Sequence, residues 1–174
     1  MVLTGDLTLL AGYKLYASTQ NAEGFNVIVQ GLDWAYPGTL PGSCCNYKQE
    51  TANTGLGTAT TANANTDGSG NIATVFTASA ATSNGSMVKA ITIKALQSTN
   101  EGMVRLFISP NGSTFSLIKE INIPQTEQSG FEPSFKLVLN DHYILPAGFT
   151  LGVSTQLTQK FAVTVEGTDW DYPI

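Results

Sequence analysis

Charge is scarce in this chain. Asp, Glu, Lys and Arg make up 12% of its 174 residues, about half the usual share. The balance is negative, −5 at neutral pH, and an acidic surface repels a phosphate backbone, so nucleic acid is not an expected partner. Histidine occurs once, at His142, which excludes metal centres built from several imidazoles; its neighbours Asn140 and Asp141 place it in a solvated turn. Cysteine occurs twice, as the adjacent Cys44 and Cys45. A disulfide between neighbours demands strained geometry, and zinc sites need separated ligand pairs, so the pair reads as free thiols or as a crosslink to another subunit. No apolar run reaches the roughly 18 residues of a membrane span. The start, MVLTGDLTLLAG, has neither a basic region nor a continuous apolar core, unlike a signal peptide. The expected place of synthesis is therefore the cytoplasm.

Catalytic signatures are missing as well. There is no GxSxG elbow to support a serine nucleophile. The carboxylates Glu120, Glu127, Glu132, Asp141 and Glu166 show no spacing that singles out an acid/base pair. Asp67-Gly68-Ser69-Gly70-Asn71 lacks the ligand spacing and terminal glutamate of a calcium loop and reads as a tight turn. Asn84-Gly85-Ser86 and Asn111-Gly112-Ser113 match the glycosylation pattern but read as Asn-Gly turns. No enzyme activity, cofactor or metal is expected.

What is present is strand-forming sequence. Hydrophobic residues supply 42% of the chain, enough for a core. They alternate with period 2: Phe25, Val27 and Val29; Ile91 and Ile93 against Thr92 and Lys94; Val104, Leu106 and Ile108 against Arg105; Phe135, Leu137 and Leu139 against Lys136 and Val138; Phe161, Val163 and Val165 against Ala162 and Thr164. This is the pattern of sheets with one buried face. Strands are predicted near 57–64, 71–79, 86–97, 102–109, 113–124, 133–140, 149–156 and 160–167, with turns at Asp67–Gly70, Asn84-Gly85, Pro110–Gly112 and Ala147-Gly148. Eight strands at this spacing predict an all-β, two-sheet β-sandwich of jelly-roll or related Greek-key type.

An internal repeat complicates that picture. Residues 7–37 align with 143–173 at a constant offset, without a gap, and 15 of the 31 positions are identical. The identities include Phe25/Phe161, Val27/Val163, Val29/Val165, Gly31/Gly167, Asp33/Asp169, Trp34/Trp170, Tyr36/Tyr172 and Pro37/Pro173. The second copy closes a domain of ordinary size, whereas the first has little chain before it. The expected organisation is an N-terminal β-hairpin at 1–37 repeating the C-terminal hairpin, a Pro- and Gly-containing linker at 38–56, and a β-sandwich domain at 57–174. A solitary hairpin is marginal in water, so the N-terminal copy is expected to seek partner strands elsewhere. It can lie beside its twin within one chain, or complement the sheet of a neighbour.

The paired Asp-Trp-x-Tyr-Pro ends have two readings. Trp34 and Trp170 can cover the open edge of a sandwich, with Asp33 and Asp169 bonding turn amides. Alternatively, the exposed Trp and Tyr residues anchor a partner or stack on sugar faces. A segment used twice favours a structural or assembly role.

Several segments in order, ANTDGSGNIATVFTA, MVKAITIKA, EGMVRLFIS with FSLIKEINIP, and LPAGFTLGVSTQ with FAVTVEGTDW, make residues 57–172 resemble a group of small β-sandwich virion proteins encoded by tailed phages and prophages. The N-terminal ASTQNAEGFNVIVQGLDW is similar to the usual ending of that group, and the extra leading copy is where this chain departs from it. The resemblance implies a virion component, a capsid decoration or head-fibre subunit, with no catalytic motif to transfer. The expected partners are the chain itself, as a homo-oligomer such as a trimer, and a major capsid or other virion protein. The expected assembly residues are Phe25, Val27, Val29, Trp34 and Tyr36 with Trp170 and Tyr172, and Cys44 and Cys45 are the candidate intersubunit crosslink. The alternative is a carbohydrate-binding jelly roll that uses the Trp and Tyr residues for stacking, with glycan as its partner.

Overall fold

The computed structural model describes residues 49–80, 85–129 and 133–171, and of residues 49–52, 170 and 171 the backbone alone. The alternating segments form strands, and the described residues hold nine where eight were expected: β1 (Gln49–Ala59), β2 (Ala73–Thr77), β3 (Gly85–Ala95), β4 (Gly102–Ser109), β5 (Ser116–Ile123), β6 (Lys136–Leu139), β7 (Tyr143–Pro146), β8 (Thr150–Thr155) and β9 (Phe161–Asp171). They form two antiparallel sheets. The first runs β1-β9-β3-β6, with β7 also on β3, and the second runs β2-β8-β4-β5. Among the described residues there is no helix at all, and so none long and apolar enough to cross a membrane.

The two sheets enclose one core. Val88, Ile91, Ile93, Phe161, Val163 and Val165 come from the first sheet, and Val104, Leu106, Ile121, Ile123, Leu151 and Val153 from the second, all at 6% exposure or less. Each such side chain contributes about 1.5–3 kcal/mol of burial free energy. Apart from the bulge between Val88 and Ala90, these positions fall on alternate residues, and the period-2 pattern is the direct cause of the layered architecture.

Three expectations change. First, β1 begins at Gln49, inside the stretch read as linker, and ends at Ala59 instead of running over 57–64. Its inward positions are Gly55, Gly57 and Ala59, so no apolar alternation advertises it. The reason is close approach. A Cβ at Gly55 would strike the carbonyl oxygen of Val75, and one at Gly57 would stand 2.6 Å from the Val75 side chain. Second, the strand expected at 133–140 is the shorter β6, pairing with Ile91–Lys94, and a further strand that was not expected, β7, pairs with Gly85–Val88.

The third change concerns the repeat. The C-terminal copy is not a hairpin. β8 pairs with β2 and β4 in one sheet, while β9 pairs with β1 and β3 in the other. The short connection at 156–160 steps across the core, a distance of about 10 Å between packed sheets, and turns the pair into an arch. The apolar alternation of two strands is the same whether they pair with each other or face each other, which is why the sequence pattern reads equally well as a hairpin.

Candidate assembly interface

The arch β8–β9 supplies a central strand to each sheet, and its side chains are set by specific neighbours. Phe161, Val163 and Val165 are fully buried in the core. Gly167 lies against β3, where a Cβ would come within 2.7 Å of the Met87 carbonyl oxygen. The Asp169 carboxylate accepts hydrogen bonds from the Asn53 amide at 2.8 Å and from the Ser86 hydroxyl, tying β9 to both flanking strands. In the connection, the Thr155 hydroxyl donates to the Leu157 carbonyl at 3.0 Å. Gln159, at 3% exposure, clamps Asn100 with both ends of its amide: Oε1 accepts from the backbone N–H at 3.0 Å and Nε2 donates to the carbonyl at 3.1 Å.

The outer side of β8 is covered too. Gly152 pairs with Phe107 of β4, and the Phe107 ring meets Phe115 edge to face, with centroids 6.4 Å apart. Ile72 completes this small apolar layer: a Cβ at residue 152 would lie 2.5 Å from its Cγ2 and 2.7 Å from Phe115 Cε1. Beside the layer, Arg105 is buried instead of solvated. It donates to Glu120 at 2.8 Å and to the Asn63 carbonyl at 3.2 Å. A cleft of about 220 Å³ opens between Thr58, Thr60, Thr61, Asn71 and Ser154. The Thr150 and Ser154 hydroxyls are buried without a protein partner.

Of the sequence-predicted site residues, Trp170 has its backbone within β9, opposite Glu50 on one side and Gly85 on the other. Phe25, Val27, Val29, Trp34, Tyr36, Tyr172, Cys44 and Cys45 lie outside the described residues. The structure adds features that patterning did not single out. The outer face of the first sheet is open, and register places Leu56, Thr164, Thr92 and Val138 in one row across it. Leu56 is 74% exposed and Val138 is 45% exposed. Their only sequence signal is an apolar residue at a position out of phase with the core.

The turns at Asp67–Gly70, Pro110–Gly112 and Ala147-Gly148 fall where expected, whereas Asn84 of the expected Asn84-Gly85 turn lies outside the described residues. The Asp67 carboxylate accepts from the Ser69 hydroxyl at 2.6 Å and the Ser69 N–H at 2.9 Å, and these bonds hold it below the usual carboxylate range. Asn111 caps its own turn by accepting from the N–H groups of Ser113 and Thr114. His142 is exposed. Next to it, Asp141 is held below the ordinary value by its hydrogen bond from Lys119, with charge attraction and the Tyr143 hydroxyl adding to the effect. Burial, then the Asp141 charge, pushes the Tyr143 phenol well above its usual range, so it stays a donor. Among the described residues no group of three His, Cys, Asp or Glu is placed to hold a metal.

No protein-family model and no curated protein matches the chain. Among solved structures it is similar to the cyanophage Pam1 capsid asymmetric unit, with 16% identity and a TM-score of 0.37. The alignment covers 80% of this chain and 94% of that one.

Proposed function

We propose that this protein is a structural component of a phage virion, a capsid decoration or head-fibre subunit. In this reading it acts by binding and assembles by lending its N-terminal segment to a neighbouring sandwich. The resemblance of residues 57–172 to phage sandwich proteins supports the virion role. One observation carries the assembly mechanism: Phe161, Val163 and Val165 are fully buried in the strand at the middle of the first sheet, and residues 7–37 repeat that strand with Phe25, Val27 and Val29. A segment with those side chains gains by entering a core, through backbone pairing and burial together. Trp34 and Tyr36, the counterparts of Trp170 and Tyr172 in the repeat, then anchor the end of the docked segment. Cys44 and Cys45 follow the segment at a point where subunits meet.

The test is deletion of residues 1–37. The shortened chain is expected to lose association with virions of the encoding phage, read by co-sedimentation. Deletion that leaves co-sedimentation unchanged would rule this mechanism out.

A further inference from the structure

The two copies of the repeat agree at the demanding positions of β9 and differ at particular positions of β8 and of the connection, among them Val153 of the core, which is Ala17 in the N-terminal copy. Along β9, the positions with specific demands are kept. The fully buried Phe161, Val163 and Val165 recur as Phe25, Val27 and Val29. Gly167, pressed against the Met87 carbonyl, recurs as Gly31, and Asp169, held by Asn53 and Ser86, recurs as Asp33. A segment that keeps a close-approach glycine and a hydrogen-bonded carboxylate is suited to the same kind of slot.

At the end of β8 and into the connection, Ser18, Thr19 and Gln20 repeat Ser154, Thr155 and Gln156, but three other positions carry residues of different size or charge. Gly152 is replaced by Tyr16 in the N-terminal copy. At residue 152 even a single Cβ falls 2.5 Å from Ile72 and 2.7 Å from Phe115, so a phenol ring has no room unless that apolar layer is evicted. Gln159 is replaced by Glu23. The amide both donates to and accepts from Asn100, whereas a carboxylate has no donor and would face the Asn100 carbonyl unpaired. Thr150, 6% exposed, is replaced by Lys14, a charge with no partner in that place.

We infer that residues 7–37 close a sandwich of the same architecture but of different sequence, and not the sandwich of a second copy of this chain. The inference rests on the docking reading above and names its partner by chemistry. The acceptor has an apolar inner face for Phe25, Val27 and Val29, donors for Asp33 and a backbone passing close to Gly31. It is open over Tyr16, lets Lys14 reach water or a carboxylate, and offers N–H groups to Glu23. Repetition of one fold with a mismatched outer surface gives specificity by exclusion: the chain's own domain is rejected sterically while a related one is accepted.

Transplanting the N-terminal residues into the C-terminal arch of the full chain tests the misfit. Gly152→Tyr is expected to lower Tm by about 10 °C or more, or to leave no folded protein, and Gln159→Glu by several degrees. The control transplants Ala162→Asn and Thr168→Leu, on the half-buried outer side of β9, are expected to stay within about 3 °C of the parent. A Gly152→Tyr chain that melts with the parent overturns the inference. A second measurement does not depend on that variant folding. Sedimentation velocity of the full chain under reducing conditions is expected to give the same mass for the parent and for Phe25→Asp. Self-association that Phe25→Asp abolishes shows copies exchanging arches and sinks the inference, while leaving the docking reading intact. Failure of the docking reading instead shows as unchanged virion binding after deletion of residues 1–37.

Discussion

Asn63 shows how much one polar residue organises. Its backbone N–H donates to the Thr155 carbonyl at 2.8 Å, its side-chain amide donates to the carbonyls of Ser69 and Asn71, and its Oδ1 accepts from the N–H of Asn65. The 60–72 loop is thereby folded over the second sheet, and Arg105 is sealed beneath it. Nothing in the local sequence marks Asn63 from the neighbouring Asn65, because the marking comes from β8, some ninety residues later. Asp141 belongs to the same scale. Its ion pair with Lys119 links the β6–β7 turn to β5 and so joins the two sheets at one side. The folded-state pKa of Asp141 lies below its unfolded value, so the stabilisation is fully present above about pH 4 and is lost as pH falls through the lowered value. Both side chains are over a third exposed, which keeps the effect below about 1 kcal/mol. Asp141→Asn is expected to be less stable than the parent in denaturant titrations at pH 6, with the difference shrinking as the pH is lowered below about 4.

Elements were legible in proportion to how much their neighbours demanded large side chains. β4 falls where the alternation of Val104, Leu106 and Ile108 predicts it, and β3, β8 and β9 follow closely. β1 was hidden because its partner across the core is backbone, which leaves glycine as the residue that fits. β7 was hidden by its length of four residues and its terminal Pro146. The same logic separates two valine or leucine truncations. Val163→Ala opens a cavity in a fully buried position of β9 and is expected to cost about 2 kcal/mol. Leu56→Ala, on the open face of β1, is expected to change stability by less than about 0.5 kcal/mol. Thermal or urea unfolding of the two variants side by side checks the contrast, and equal losses would mean that the face carrying Leu56 is covered.

For the whole molecule, the decisive feature is that the first and last described strands pair. β1 and β9 run antiparallel over their full length, from Gln49 opposite Asp171 to Ala59 opposite Phe161. The first sheet therefore cannot form before β9 is available, and long loop closures precede most of the favourable contacts. A chain ending at residue 160 lacks the central strand of one sheet, leaves β1 without its partner and exposes the edge of β3 opposite β6 and β7. It is expected to show no native-like dispersion in NMR spectra and to aggregate through the exposed strand edges. A soluble, well-dispersed product would show that the sheets fold independently. The open outer face and the N-terminal copy of the arch belong to this scale too, since both concern what the sandwich meets outside itself.

The sequence alone determined that this is a two-sheet β protein with one apolar core, because period-2 alternation is a local property written into consecutive residues. It also contained the repeat, with its kept Phe, Val, Gly and Asp positions. Only the tertiary structure decided that the repeated unit is an arch spanning two sheets and not a hairpin, because pairing partners lie far apart in sequence and alternation is blind to them. Only the structure, again, gave Gly152 its meaning. A glycine in a strand is unremarkable until Ile72 and Phe115 are seen to occupy the space its side chain would need, and that occupied space is what sets the two copies of the arch apart.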